Sequence, residues 1–148
     1  MRYLVLLPGD ESAWEAGTQE HRDAVYARHD EFGKQLRANG HTVVGGAELT
    51  HSRETLVVRA DAEGKVVVTE GPFAETVEQL TGYYEIETDD LDGLLHLVGI
   101  VAGPDHDRAG MGGVEVRRIL TAEDHAQEAQ AATQAGSVES RAAGVHSS

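Results

Sequence analysis

Short strand-like runs and two helical patterns follow one another in the order β-α-β-β-β-β-α-β. That order predicts an α+β fold of the ferredoxin-like kind: a split βαβ unit with an antiparallel sheet and two helices on one face. Three observations carry the prediction. The apolar runs are only five to seven residues long, the longer helical stretch keeps one apolar face, and Gly or Pro stands at nearly every junction.

The elements are legible in order. Arg2 to Leu7 is compact, apolar and ended by Pro8-Gly9, which reads as a strand. Asp10 to Gly17 reads as a loop carrying the chain's single tryptophan, Trp14. From Thr18 to Asn39 the pattern is helical, with Thr18 as N-cap, Glu20 in the first turn and Gly40 beyond the end. Val25, His29, Phe32 and Leu36 recur at four, three and four residues and share one face. His41 to Ala47 reads as a strand bent or bulged at Gly45-Gly46. Glu54 to Ala60 and Lys65 to Thr69 form a hairpin around Asp61-Ala62-Glu63-Gly64. Gly82 to Thr88 is a strand, Asp89 or Asp90 caps a helix from Leu91 to about Val101, and Gly112 to Leu120 is the last strand. One face of the sheet carries apolar side chains with no predicted cover. A second subunit is the simplest cover, so a homodimer packed face to face is expected.

Composition changes after Leu120. Residues 1–120 are expected to form the domain and 121–148 an Ala/Gln/Ser-rich helix, through about Ala135, with a solvated tail beyond Gly136. The chain has 26 acidic residues against 12 Lys and Arg, a formal charge of −14. Most of it belongs to the first 120 residues, which hold 22 of the acids and 11 of the bases. This field disfavours polyanionic partners, so neither nucleic acid nor a membrane surface is expected. The absence of cysteine excludes a disulfide framework and a thiol nucleophile. The opening apolar run is too short for a secretion signal and no run reaches the ~20 residues of a membrane span, so a cytoplasmic protein is expected.

Any catalysis then rests on His and carboxylates. His29 is the sharpest single residue: it occupies an apolar stripe where a Leu would serve packing alone. It is either a core histidine with its N–H satisfied or a general base. Asp10, at the end of the first strand, is placed to pair with it and fix its tautomer, or is simply a turn residue. Gly71-Pro72-Phe73-Ala74-Glu75-Thr76 bends the chain through Gly71 and Pro72. Phe73 is then either a core plug or a pocket wall, with Glu75 as a polar contact. Trp14, Tyr83 and Tyr84 supply aromatic surface, and the two tyrosines point to opposite faces of their strand. No helical His-x-x-x-His pair, phosphate loop or dinucleotide fingerprint is present, so no metal and no cofactor are expected. Asp105-His106-Asp107 reads as a solvated polar loop.

Four segments together resemble the YCII-related family, in its branch with a DGPF motif. They are Arg2-Tyr3-Leu4-Val5-Leu6-Leu7-Pro8-Gly9-Asp10-Glu11; Arg28-His29-Asp30-Glu31-Phe32; Val68-Thr69-Glu70-Gly71-Pro72-Phe73-Ala74-Glu75-Thr76; and Gly82-Tyr83-Tyr84-Glu85-Ile86 with Asp89-Asp90-Leu91-Asp92. Val114-Glu115-Val116-Arg117 also fits. The resemblance implies a ferredoxin-like fold that dimerises as an α/β barrel, with a pocket between sheet and helix. It places the family's typical His at His29 and its Asp at Asp10. Glu70 stands where the family usually has Asp.

The expectation is a small cofactor-independent enzyme, a lyase or isomerase moving protons on a ring or polyketide-like small molecule. His29 would be base and then acid, Asp10 its orienter, and Phe73, Glu75, Tyr84 and Trp14 the pocket. The alternative is a dimeric module that binds a small ligand or a protein without catalysis. A third reading, implied by the resemblance, is an oxygen-using monooxygenase.

Overall fold

A computed structural model describes residues 1–70, 79–103 and 113–144 of the chain. Gly71, Pro72, Phe73 and Glu75, and the Asp105-His106-Asp107 segment, lie outside the described residues. The elements run β1 (Arg2–Gly9), α1 (Glu11–Ala16), α2 (Gln19–Ala38), β2 (Thr42–Glu48), a single 3-10 turn (Ser52–Glu54), β3 (Leu56–Ala60), β4 (Val66–Glu70), β5 (Gln79–Glu87), α3 (Leu91–Val98), β6 (Glu115–Arg118) and α4 (Ala122–Gly144). Of the described residues, those up to Arg118 form one compact unit and those from Ile119 onward a second.

Four strands make an antiparallel sheet in the order β2-β5-β1-β6. β1, α2 and β2 form one split βαβ half and β5, α3 and β6 the other, which is the ferredoxin-like arrangement expected from the element order. The hairpin β3–β4 is inserted between the halves and pairs Val58 with Val68. Its turn closes at Gly64, whose φ of 81° is a conformation that side chains disfavour.

Alternation along β1 sends Tyr3, Val5 and Leu7 to one face, where they are buried. There they meet Ile86 of β5, Phe32 and Leu36 of α2, Leu94 and Val98 of α3, and Val101. Both helices therefore cover the same face, as expected. The opposite face carries Leu4, Leu6 and Tyr83, half-buried, beside Arg2, which lies 3.4 Å from Glu85 and 3.8 Å from Glu87. It is thus mixed rather than uniformly apolar.

Capping explains the helix starts. Thr18 Oγ1 accepts the His21 N–H at 3.1 Å, and Asp90 Oδ1 accepts the Gly93 N–H at 2.9 Å. Of the two candidates Asp89 and Asp90, Asp90 is therefore the cap of α3. Replacing it leaves an N–H of the first turn without a partner, so Asp90→Ala is expected to cost about 1 kcal/mol in denaturant unfolding. An unchanged midpoint would count against the cap.

Several boundaries differ from expectation: β5 begins at Gln79 rather than Gly82, α3 ends at Val98 rather than near Val101, and three further differences have a clear cause. The stretch read as a loop after Asp10 contains α1, because Asp10 itself caps a helical turn: its Oδ1 accepts the Ala13 N–H at 3.0 Å. β2 carries its bulge at Val44, where the pairing slips between Val43 and Gly45, so the Gly45-Gly46 irregularity is real but begins one residue earlier. α4 continues past Gly136 to Gly144 instead of ending near Ala135; the abundant alanines outweigh the helix cost of one glycine.

Candidate functional site

The apolar stripe of α2 divides along its length. Phe32 and Leu36 are fully buried, whereas Val25 and His29, nearer the N-terminus, are half-exposed. The reason lies in the sheet beneath them. Gly46 of β2 is exposed and sits beside Tyr84, and a Cβ there would come within 3.1 Å of the Tyr84 ring and 2.9 Å of the Tyr83 carbonyl. Without side-chain mass on that end of the sheet, the core gives way to a cleft of about 1100 Å³.

The cleft is lined by Leu7 to Glu11 at the end of β1, by α1 with Trp14, by the face of α2 bearing Arg22, Tyr26 and His29, and by Gly46 to His51. Tyr84 forms the wall next to the core. Its ring packs edge-on against Phe32, with centroids 5.3 Å apart at 72°, and stacks at 6.0 Å and 25° with His29. The Tyr84 hydroxyl and His29 Nδ1 share a hydrogen bond of 2.8 Å. Burial, reinforced by the charge of Asp30, pushes the Tyr84 phenol up from its ordinary value. Tyr84 therefore holds its proton through the neutral range and can donate it to Nδ1. When Nδ1 carries the hydrogen instead, the phenol oxygen accepts and the imidazole lone pair resides on Nε2. The couple can hold a proton at either ring nitrogen.

The raised phenol predicts an alkaline signature. The unfolded chain loses its tyrosine proton first, so this contribution to stability is intact below pH about 10 and falls as pH rises from there through the higher folded value. Tyr84→Phe is expected to remove part of the decline, leaving the share of Tyr26, whose phenol burial and Glu48 also push up. Urea unfolding above and below pH 10 measures it. An identical alkaline loss in both proteins would refute the assignment.

Asp10 lines the same cleft. The partner of His29 Nδ1 is the Tyr84 hydroxyl, while Oδ1 of Asp10 serves as the N-cap of α1. Trp14 stands on the cleft wall as expected, edge-on to Tyr26 with centroids 5.7 Å apart at 89°. Phe73 and Glu75 fall outside the described residues. Among the described residues the buried histidine is His41, 3% exposed, with Nδ1 2.7 Å from Thr88 Oγ1.

Several lining residues escape a reading of the sequence. Arg22 and Tyr26 were detectable, since residues 22, 26 and 29 repeat at four and three on one helix face. Tyr26 donates its O–H to Glu48 Oε1 at 3.0 Å, bridging α2 and β2. His51 and Arg53 come from the connection between β2 and β3, where no sequence period marks them.

The architecture defines the class of protein: a ferredoxin-like sheet with a cleft between its end and the first long helix. The YCII-related domain model matches residues 1–123, and the chain belongs to that family. An uncharacterized protein of Rhizobium meliloti (strain 1021) is 36% identical over 102 residues, covering 64% of this chain and 75% of that protein. Among the described residues no helix is long and apolar enough to cross a membrane.

Proposed function

We propose that this YCII-related protein is a cofactor-independent acid/base enzyme, a lyase or isomerase, acting on a small ring or polyketide-like molecule. The observation that carries the reading is the 2.8 Å His29–Tyr84 couple on the wall of an open, aromatic-lined cleft. His29 would take a proton from a carbon next to a carbonyl or ring hydroxyl. In an elimination, the C–H electron pair forms the new double bond and the leaving group departs with its own pair. In an isomerisation, His29 returns the proton to another carbon. Tyr84 takes the orienting role expected of Asp10, while Asp10 holds α1 in place.

Charge supports a neutral substrate. Three arginines and four carboxylates are among the described residues lining the cleft. Those carboxylates are occupied within the wall: Asp10 by the Ala13 N–H, Glu11 by the Ser52 N–H, Glu15 by Arg53 and Glu48 by Tyr26. The lining thus lacks the charge excess of the chain as a whole. A homodimer packed through the Leu4, Leu6 and Tyr83 face, in a cytoplasmic setting, belongs to the same proposal; sedimentation equilibrium tests the dimer.

The deciding experiment incubates the protein with halogenated and hydroxylated ring compounds in deuterium oxide. Deuterium entering carbon, or halide release, that disappears in His29→Gln supports the enzyme. The second reading, a non-catalytic ligand-binding module, is favoured by the service of the Asp10 carboxylate as the α1 cap, a structural role that needs no catalysis. It predicts ligand binding with no exchange, in the wild type and the variant alike.

A further inference from the structure

Helix α1 has six residues and buries no side chain. A helix this short does not persist by itself in water. It lies between Gly9 and Gly17 and is held by polar contacts from two sides. From α2, the Arg22 guanidinium donates to the carbonyls of Trp14 at 3.2 Å and Glu15 at 3.1 Å, in the last turn of α1. The same guanidinium lies 5.9 Å from the centre of the Trp14 ring. From the connection after β2, the Ser52 N–H donates to Glu11 Oε2 at 2.7 Å, and Arg53 pairs with Glu15 at 2.9 Å. The Arg53 N–H donates to His51 Nδ1 at 3.1 Å, which leaves the ring hydrogen on Nε2, 3.3 Å from Glu15. These polar contacts border the cleft, and beside them α1 has the edge contacts of the half-buried Trp14 ring with Tyr26 and His21.

We propose that α1 is a hinged wall of the cleft and that Arg22 is its positioning residue, clamping the helix end and the Trp14 ring together so that Trp14 faces the cavity. A guanidinium suits this role because it is planar and can lie over the indole ring while its Nη2 donates to both carbonyls. Glu11 and Glu15, with Ser52, His51 and Arg53, form the second latch. Arg22 acts through Trp14 rather than on the reacting atoms. That the cleft takes a ring compound rests on the function proposed above; that α1 is a polar-latched wall does not.

Trp14 is the only tryptophan of the chain, so its fluorescence reports α1 alone. In the full chain, Arg22→Met is expected to raise the acrylamide quenching constant about twofold or more, as the wall samples open positions. Amide exchange should accelerate within residues 11–16 while β1 and β5 keep their protection. Glu15→Gln should act in the same direction more weakly, and Arg22→Lys serves if Arg22→Met does not fold. Unchanged quenching in these variants overturns the proposal, as does faster exchange spread over the whole sheet, which would mark Arg22 as a general stabiliser. With 4-nitrophenol as probe, a roughly tenfold weaker affinity in Arg22→Met supports the role of Trp14 as wall, and equal affinity overturns it. A wild-type protein that binds no 4-nitrophenol overturns the ring-binding reading, and quenching and exchange then decide the wall.

Discussion

His29→Gln is expected to lower turnover about 100- to 10,000-fold, the usual range for removing a general base. Glutamine keeps a polar group near the Tyr84 hydroxyl and fits a half-exposed position, so the fold should be little affected. The distinction matters because His29 stacks on Tyr84, and Tyr84 packs on the core through Phe32. Turnover lost with the unfolding midpoint preserved identifies a chemical role. Loss of both together would make His29 a packing residue, and full activity in the variant would sink the acid/base reading. Tyr84→Phe gives the complementary result: it removes the hydroxyl at 2.8 Å and keeps the ring, so a smaller loss is expected than at His29.

Phe32→Ala is expected to have the largest effect on stability, about 3–5 kcal/mol in denaturant unfolding. The ring is fully buried where α2, α3 and the sheet meet, so its removal leaves a cavity as well as losing transfer energy. A whole domain holds only about 5–15 kcal/mol, so this one change consumes much of the margin. It also removes the edge-on support of Tyr84, and any folded population should show a loosened His29–Tyr84 couple. A cost below about 1 kcal/mol would mean that the site collapses around the gap and that Phe32 is not the keystone described.

Much of the fold was legible because it depends on local periods. The alternation in Arg2 to Leu7, the four-three-four spacing of Val25, His29, Phe32 and Leu36, and the caps at Thr18 and at Asp89 or Asp90 each act within a few residues. α1 was missed for the same kind of reason. Its six residues carry no apolar period, because it buries nothing, and only the cap at Asp10 announces it. The site was half legible. His29, Asp10, Trp14 and Tyr84 were all named, and the structure places all four on one cleft. Their pairing was not legible, since Tyr84 is 55 residues from its histidine partner.

The sequence by itself determined the strand order, the two helices that cover the sheet, the apolar face of α2 and the histidine that interrupts it. It also determined that acid/base groups, with no thiol, are the chemistry at hand. The tertiary structure decided the rest. The antiparallel pairing of β5 between β1 and β2 carries Tyr84 beneath α2 and Gly46 beside it. That pairing opens a cleft where the core would otherwise continue, and gives His29 a phenol partner at Nδ1. The physical reason is range: the cap joins Asp10 to an N–H three residues away, whereas the His29–Tyr84 contact spans 55 residues and exists only once β5 lies between β1 and β2.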